Sequence, residues 1–133
     1  HSRTVRRLAG GHRRKHLEEL VFDAAWGQPW SPAQADARLV CILEHARLAP
    51  SAVNRQPWRF IVRENEIALG LVQPAPLDAG IVMAHVALAA QAVGWGGRWR
   101  LGLGDPNLAR AYGLPAHAIP VGVFTQEAAG DVP

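Results

Sequence analysis

The stretch ARLAPSAVNRQPWRF, residues 46–60, stands between a helical pattern and a strand-like one. Upstream, Leu39, Ile42, Leu43 and Ala46 recur at helical spacing, and Pro50 disfavours helix at Ala49, so the stretch sits at a helix C-terminus. Downstream, WRFIV (58–62) and IALGLV (67–72) are β-type runs, and the RENE between them reads as a hairpin or a tight strand connection. The junction holds Pro50, Ser51, Asn54, Gln56, Pro57 and Trp58. A loop so rich in hydrogen-bonding side chains has two uses. It can satisfy its own backbone, as Ser and Asn do after helices, or it can present donors and acceptors to a ligand from a backbone that the prolines hold fixed.

Working outward, KHLEELVFDAAW (15–26) places Leu17, Leu20, Val21 and Ala24 on one helical face, and GQPW breaks it. A second helix is expected to open at Ser31 as N-cap, with Pro32 at its first position and Gln34 at the capping-box spacing. After QPAP, DAGIVMAHVALAAQAVG (78–94) reads as one helix with Asp78 as N-cap and Gly94 at its end. Ile81, Val82, His85, Val86, Leu88, Ala89, Ala92 and Val93 leave it almost no polar face, so it is read as a central helix that also meets a partner surface. DPNLARAYG (105–113) is a short helix with Asp105 as cap, Pro106 first and Gly113 past its end, and AIPVGVF (118–124) returns as a strand. No internal repeat is present.

The 133 residues fit one domain, with a basic arm over 1–17 and a body over 18–133. The arm holds Arg3, Arg6, Arg7, Arg13, Arg14 and Lys15, and all 11 acidic residues follow it. It lacks interleaved aromatics and an amphipathic apolar face, which argues against nucleic acid and against a membrane surface as partners. No apolar run approaches a membrane span, no signal-peptide h-region is present, and the single Cys41 has no partner for an internal disulfide; a cytoplasmic setting is expected.

RLAPSAVNRQPWRFIV (47–62) closely resembles the flavin-binding signature of the nitroreductase family, whose enzymes hold FMN at a dimer interface: an Arg, a Pro-Ser, an Asn and a Gln-Pro-Trp all fall in register. DAGIVMAHVALAAQAVGWGGRWRLG (78–102) resembles the family's central helix and the Gly-rich turn after it, and YGLPAHAIPVGVF (112–124) its closing strand. The resemblance implies an α+β fold, a nitroreductase-like central sheet flanked by helices and completed by a second copy or a missing half. It implies FMN as cofactor, with Pro50, Ser51 and Asn54 reaching it from across the interface and the backbone N–H groups of Leu101 and Gly102 near N5. The implied activity passes reducing equivalents from NADH or NADPH through flavin to a nitro- or quinone-like acceptor. The alternative is a non-catalytic half-domain that completes or sequesters a flavin site. Gln56 and Trp58 are read as structural.

Two departures from the family pattern stand out. The family grips the FMN phosphate with an N-terminal Arg-Arg-Ser-x-Arg element and a basic residue near the C-terminus; here SRTVRR has Arg3, Thr4 and Arg6 in the order of the first, but 40 residues separate Arg6 from Arg47, more than the family places there, and FTQEAAGDVP offers no cation. RRKHLEELVFDAAWGQPW resembles the segment that opens the second half of duplicated single-chain nitroreductases, so the chain is expected to be a C-terminal half that works with a missing N-terminal half or as a homodimer. Other residues carry plainer readings. His12 and His16 are separated by three cations, which disfavours a metal. His45 and His85 are expected to be hydrogen-bonded core or interface histidines, Cys41 a buried inert thiol, and Trp95 and Trp99 packing residues.

Overall fold

The computed structural model describes residues 13–51 and 54–127. In chain order the elements are α1 (Leu17–Leu20), β1 (Val21–Asp23), a 3-10 turn (Pro32–Gln34), α2 (Ala37–Arg47), β2 (Trp58–Arg63), β3 (Glu66–Leu71), α3 (Pro76–Ala92), β4 (Gly97–Leu101), α4 (Pro106–Tyr112) and β5 (Ile119–Gln126). The strands form one mixed sheet in the order β1-β2-β3-β5-β4, with β1 parallel to β2 and the other pairs antiparallel. This is the α+β sheet flanked by helices that the sequence implied.

Local chemistry accounts for most boundaries. Asp105 Oδ1 accepts the Asn107 N–H at 2.8 Å, Pro106 takes the first helical position, and Gly113 closes α4 at φ 71°, all as read from the sequence. Arg63 and Glu66 pair directly across the β2–β3 connection, so the tight hairpin holds, with Asn65 at φ 62° in its turn.

Three expectations need correction. The helix read over 15–26 stops at Leu20, because Val21, Phe22 and Asp23 pair in parallel with Phe60, Ile61 and Val62; a β-branched and an aromatic residue at that point gain more from the sheet than from another helical turn. Ser31 caps only the 3-10 turn, its Oγ accepting the Ala33 N–H at 3.3 Å, and Ala35 is extended. Asp36 then restarts the chain as the cap of α2, accepting the Arg38 N–H at 2.8 Å. The central helix begins at Pro76 rather than after Asp78, which places Asp78 inside the first turn and buries it.

Helices α2 and α3 pack on one face of the sheet over Trp58, Phe60, Ile67, Leu69 and Phe124. The opposite face holds a smaller cluster of Ile61, Ala68, Tyr112 and Val123 under α4. A register shift at Leu69/Gly70 leaves Val121 without a partner on β3, and this bulge is why Val121 joins the α2/α3 core although Val123 faces α4.

The edge strand β4 was not anticipated. Trp99 donates from Nε1 to the Met83 carbonyl at 3.0 Å and stands edge-on to Phe124, centroids 5.5 Å apart, which pins β4 under α3. Gly97 opens the strand where a Cβ would collide with the Thr125 backbone carbonyl. Gly97→Ala is therefore expected to lower stability by about 1–3 kcal/mol through forced separation of β4 from β5, measurable by urea denaturation; a change under about 0.5 kcal/mol would mean that this close approach is absent.

Candidate active site

Five residues were expected to form the site, and the fold places them in two groups at the same end of the sheet. Pro50 (exposed) and Ser51 and Asn54 (half-buried) precede β2, while Leu101 and Gly102 end β4. Trp58 pairs with Leu71, Leu71 with Ile119, and Leu101 with Gly122, which sets the common end. β2 and β4 are three strand steps apart in the sheet order, so the strands next to the two groups lie about 14 Å apart across the sheet.

The loop is held by its own hydrogen bonds and by the chain before α1. The Asn54 N–H donates to the Ser51 carbonyl at 3.0 Å, and the Gln56 N–H to Ser51 Oγ at 2.9 Å. Asn54 and Gln56 both sit at positive φ, 56° and 51°. Asn tolerates this conformation and Gln does so rarely. Asn54 Nδ2 donates to the Arg13 carbonyl at 3.1 Å. Gln56 and Trp58, read as structural, are both buried, and Arg59 donates to their carbonyls at 2.9 and 2.7 Å; burial pushes the Arg59 guanidinium below its ordinary range.

Leu101 borders a cleft of about 450 Å³ between the start of α3, the bulge of β5 and the end of β4, whereas Gly102 instead lines the polar cleft across the sheet, which Leu101 also reaches. Leu71, Gly80, Met83, Leu101, Leu103 and Val121 contribute, and among the described residues no charged side chain lines it. The Gly102 N–H is taken by the Val121 carbonyl at 2.9 Å. In an antiparallel ladder the next residue along points its N–H the other way. The Leu101 N–H is thus directed away from β5, out of the edge of β4, the last strand of the sheet among the described residues. Beside the cleft, Leu77, Gly80, Ala84 and Leu88 form an exposed stripe on α3, with Leu77 at 76% and Leu88 at 72% exposure.

Across the sheet a more polar cleft holds Arg63, Glu66, Arg100 and Tyr112. The Tyr112 hydroxyl donates to Glu66 Oε1 at 2.6 Å, and the Arg63 guanidinium lies 4.1 Å from the ring centroid. Burial, reinforced by the Glu66 carboxylate, pushes the phenol up to about 12 from its ordinary 10.0. Folding thus favours the protonated phenol; that contribution is complete below pH 10 and is lost as pH rises through 12. Tyr112 is the only tyrosine, so the tyrosinate absorbance of native protein should titrate near 12 and that of denatured protein near 10. Coincident curves would refute the burial.

The remaining singled-out residues are structural. Trp95 is buried and stacks on Phe124. His45 and His85 hydrogen-bond the carbonyls one turn back, Cys41 and Ile81, each at 2.9 Å. Cys41 is half-buried rather than buried, its Sγ 3.9 Å from His45 Nδ1, a basic neighbour that helical spacing supplies. His12, the rest of the arm over 1–12 and the tail after Glu127 lie outside the described residues. Among the described residues no helix is long and apolar enough to cross a membrane.

The family model described as "Putative TM nitroreductase" matches residues 6–90, which include the motif loop, α2 and most of α3. The chain belongs to this nitroreductase family. Solved structures agree on the fold. A "putative nitroreductase" from Thermotoga maritima superposes with a TM-score of 0.63 at 19% identity, over 88% of this chain and 43% of its own. This nitroreductase chain thus spans less than half the length of that protein. A nitroreductase family protein from Clostridium difficile 630 gives a TM-score of 0.64 at 21% identity, over 74% and 75% of the two chains. A nitroreductase with bound FMN from Desulfitobacterium hafniense gives 0.58 at 20% identity, over 85% and 87%. No match was found among curated proteins.

Proposed function

We propose that the chain is one half of an FMN-dependent oxidoreductase site, carrying reducing equivalents from NAD(P)H to a nitro- or quinone-like acceptor. The observation that carries this reading is the uncharged cleft beside Leu101, whose N–H points out of the sheet edge at its rim. A flavin ring needs apolar surface against its face and directed hydrogen bonds at its edge, and it supplies the hydride and electron chemistry that ordinary side chains lack. Leu101 would donate from its backbone, Gly80, Met83 and Val121 would cover the ring, and the cleft would keep water from it. Pro50, Ser51 and Asn54, beside a strand about 14 Å away across the sheet, would serve the corresponding cleft of a second copy or of an upstream half. The exposed stripe of α3 is where that copy or half would dock. Gly102 would contribute through its backbone path, since its N–H is already engaged.

A second reading, a half-domain that completes or sequesters flavin without turnover, is favoured by one feature: among the described residues the cleft's lining offers no cation to a phosphate. The basic arm over 1–17 would supply it in the first reading, with the body over 18–133 holding the ring; the setting would be cytoplasmic.

Titrating FMN into the protein decides whether the ring binds. Expected, once the chain is assembled with its second copy or upstream half, are quenched flavin fluorescence and a structured visible band; their absence in that assembly overturns both readings. Adding NADH or NADPH without oxygen then separates turnover from sequestration, since only the oxidoreductase bleaches that band and recovers it with a quinone. Asn54→Gly keeps the positive φ and removes the amide, so it should weaken FMN by about 1–3 kcal/mol in the assembled protein. Unchanged affinity would assign Asn54 to loop structure alone.

A further inference from the structure

Gln56 is 2% exposed although it belongs to a loop, and it holds a left-handed backbone that glutamine rarely adopts. Its side chain is fully engaged. Nε2 donates to the Asn54 carbonyl at 3.2 Å and to the Arg13 carbonyl at 3.1 Å, and Oε1 accepts the Lys15 N–H at 2.7 Å. Closing the loop would need the first of these bonds alone; the other two reach back to the segment before α1. That segment is gripped further: Asn54 Nδ2 shares the Arg13 carbonyl, Arg14 donates to the Ala49 carbonyl at 2.7 Å, and Arg47 to the Lys15 carbonyl at 3.3 Å.

We propose that Gln56 is the positioning residue of the motif loop, locking residues 13–15 across it as a strap that fixes where Asn54 is held. The two amides meet on one acceptor, the Arg13 carbonyl, so the placement of Asn54 depends on a bond that Gln56 also makes. Strained backbone persists where its surroundings over-determine it, and the strap is what does so here. The strap is a property of the chain itself; the consequence for flavin rests on the function proposed above.

The test is Gln56→Glu in the full chain. The carboxylate keeps the shape and an acceptor for the Lys15 N–H, but turns an oxygen toward two carbonyls that had been served by N–H groups. Two readouts are taken: trypsin cleavage after Arg13, Arg14 and Lys15, which requires local release of the strap, and FMN affinity with the flavin's visible spectrum. Cleavage is expected to accelerate about tenfold or more, and FMN affinity to fall about tenfold with a shifted band. Unchanged cleavage overturns the strap. Faster cleavage with unaltered FMN affinity and spectrum overturns the positioning role and leaves Gln56 a structural tie. If wild-type protein binds no FMN, the functional reading and the positioning role fall together, while cleavage still decides the strap. Should the Glu variant not fold, Gln56→Met, which keeps the length of the side chain and removes its three hydrogen bonds, is read by the same two measurements with the same expected directions.

Discussion

Phe124→Ala is expected to lower stability by about 3–5 kcal/mol, a large share of the roughly 5–15 kcal/mol available to a domain. Phe124 is fully buried in β5, the strand between β3 and β4, and its Cα pairs with Ile67 on one side and Trp99 on the other. Its ring stacks on Trp95 with centroids 6.2 Å apart and receives Trp99 edge-on. Truncation therefore opens a cavity under α3 and removes the contact against which Trp99 holds the edge strand. The end of β4 carries Leu101, so the candidate site should loosen together with the core. Urea denaturation measures the loss, and Glu64→Ala, at an exposed side chain of the β2–β3 turn outside the α3 stripe, is the control expected to stay within about 0.5 kcal/mol. A loss under about 1.5 kcal/mol at Phe124 would mean that the ring does not organise this part of the core.

Much of this arrangement is legible in the sequence where a local signal and the tertiary outcome agree. The Asp105-Pro106 start and Gly113 stop of α4 are caps, and caps are decided by atoms a few residues away. The hairpin at RENE follows from two β-type runs too close to do anything else. The segment after Leu20 fails for the opposite reason: Leu17, Leu20 and Val21 are all buried, as a helical face requires, but Val21 is buried from a strand whose partner lies near Phe60. A window of a few apolar residues carries no information about that distant partner. β4 was missed although GRWRL alternates, Trp99 toward α3 and Arg98 and Arg100 away from the core, because the surrounding glycines read as a turn.

The candidate site shows the same division. Pro50, Ser51, Asn54, Leu101 and Gly102 came from the family resemblance of two sequence stretches, and their role toward flavin belongs to the proposed function. The bonding that distinguishes them was not legible there. Which of two adjacent N–H groups points outward depends on the β4–β5 register, which leaves that of Leu101 at the edge and engages that of Gly102 with Val121. Gln56, read as structural, is buried, and its partners at Arg13 and Lys15 are more than forty residues distant in sequence, 43 and 41, so no local pattern announces them. The cleft likewise depends on the bulge that turns Val121 inward, a one-residue slip between β3 and β5.

Gly80→Leu should separate the cleft's role from the stability of the fold, because the two effects have opposite signs. Gly80 lies inside α3, is exposed, and has open space around the position a Cβ would take. Replacing a helix-interior glycine with leucine gains about 0.8–1 kcal/mol of helix propensity, so the melting temperature of the flavin-free protein should hold or rise. Gly80 also lines the cleft beside Met83 and Leu101. A leucine there occupies space that a bound ring would need, and overfilling a packed apolar site costs about 1–3 kcal/mol, a loss of about 5- to 150-fold in FMN affinity. Sedimentation of the variant beside wild type distinguishes a plugged cleft from a disturbed assembly, since Leu77 and Leu88 share the exposed stripe. Lower FMN affinity with unchanged assembly and an equal or higher melting temperature is the expected result. Undiminished FMN binding in a stable Gly80→Leu protein would move the ring away from this cleft and withdraw the observation on which the flavin assignment stands.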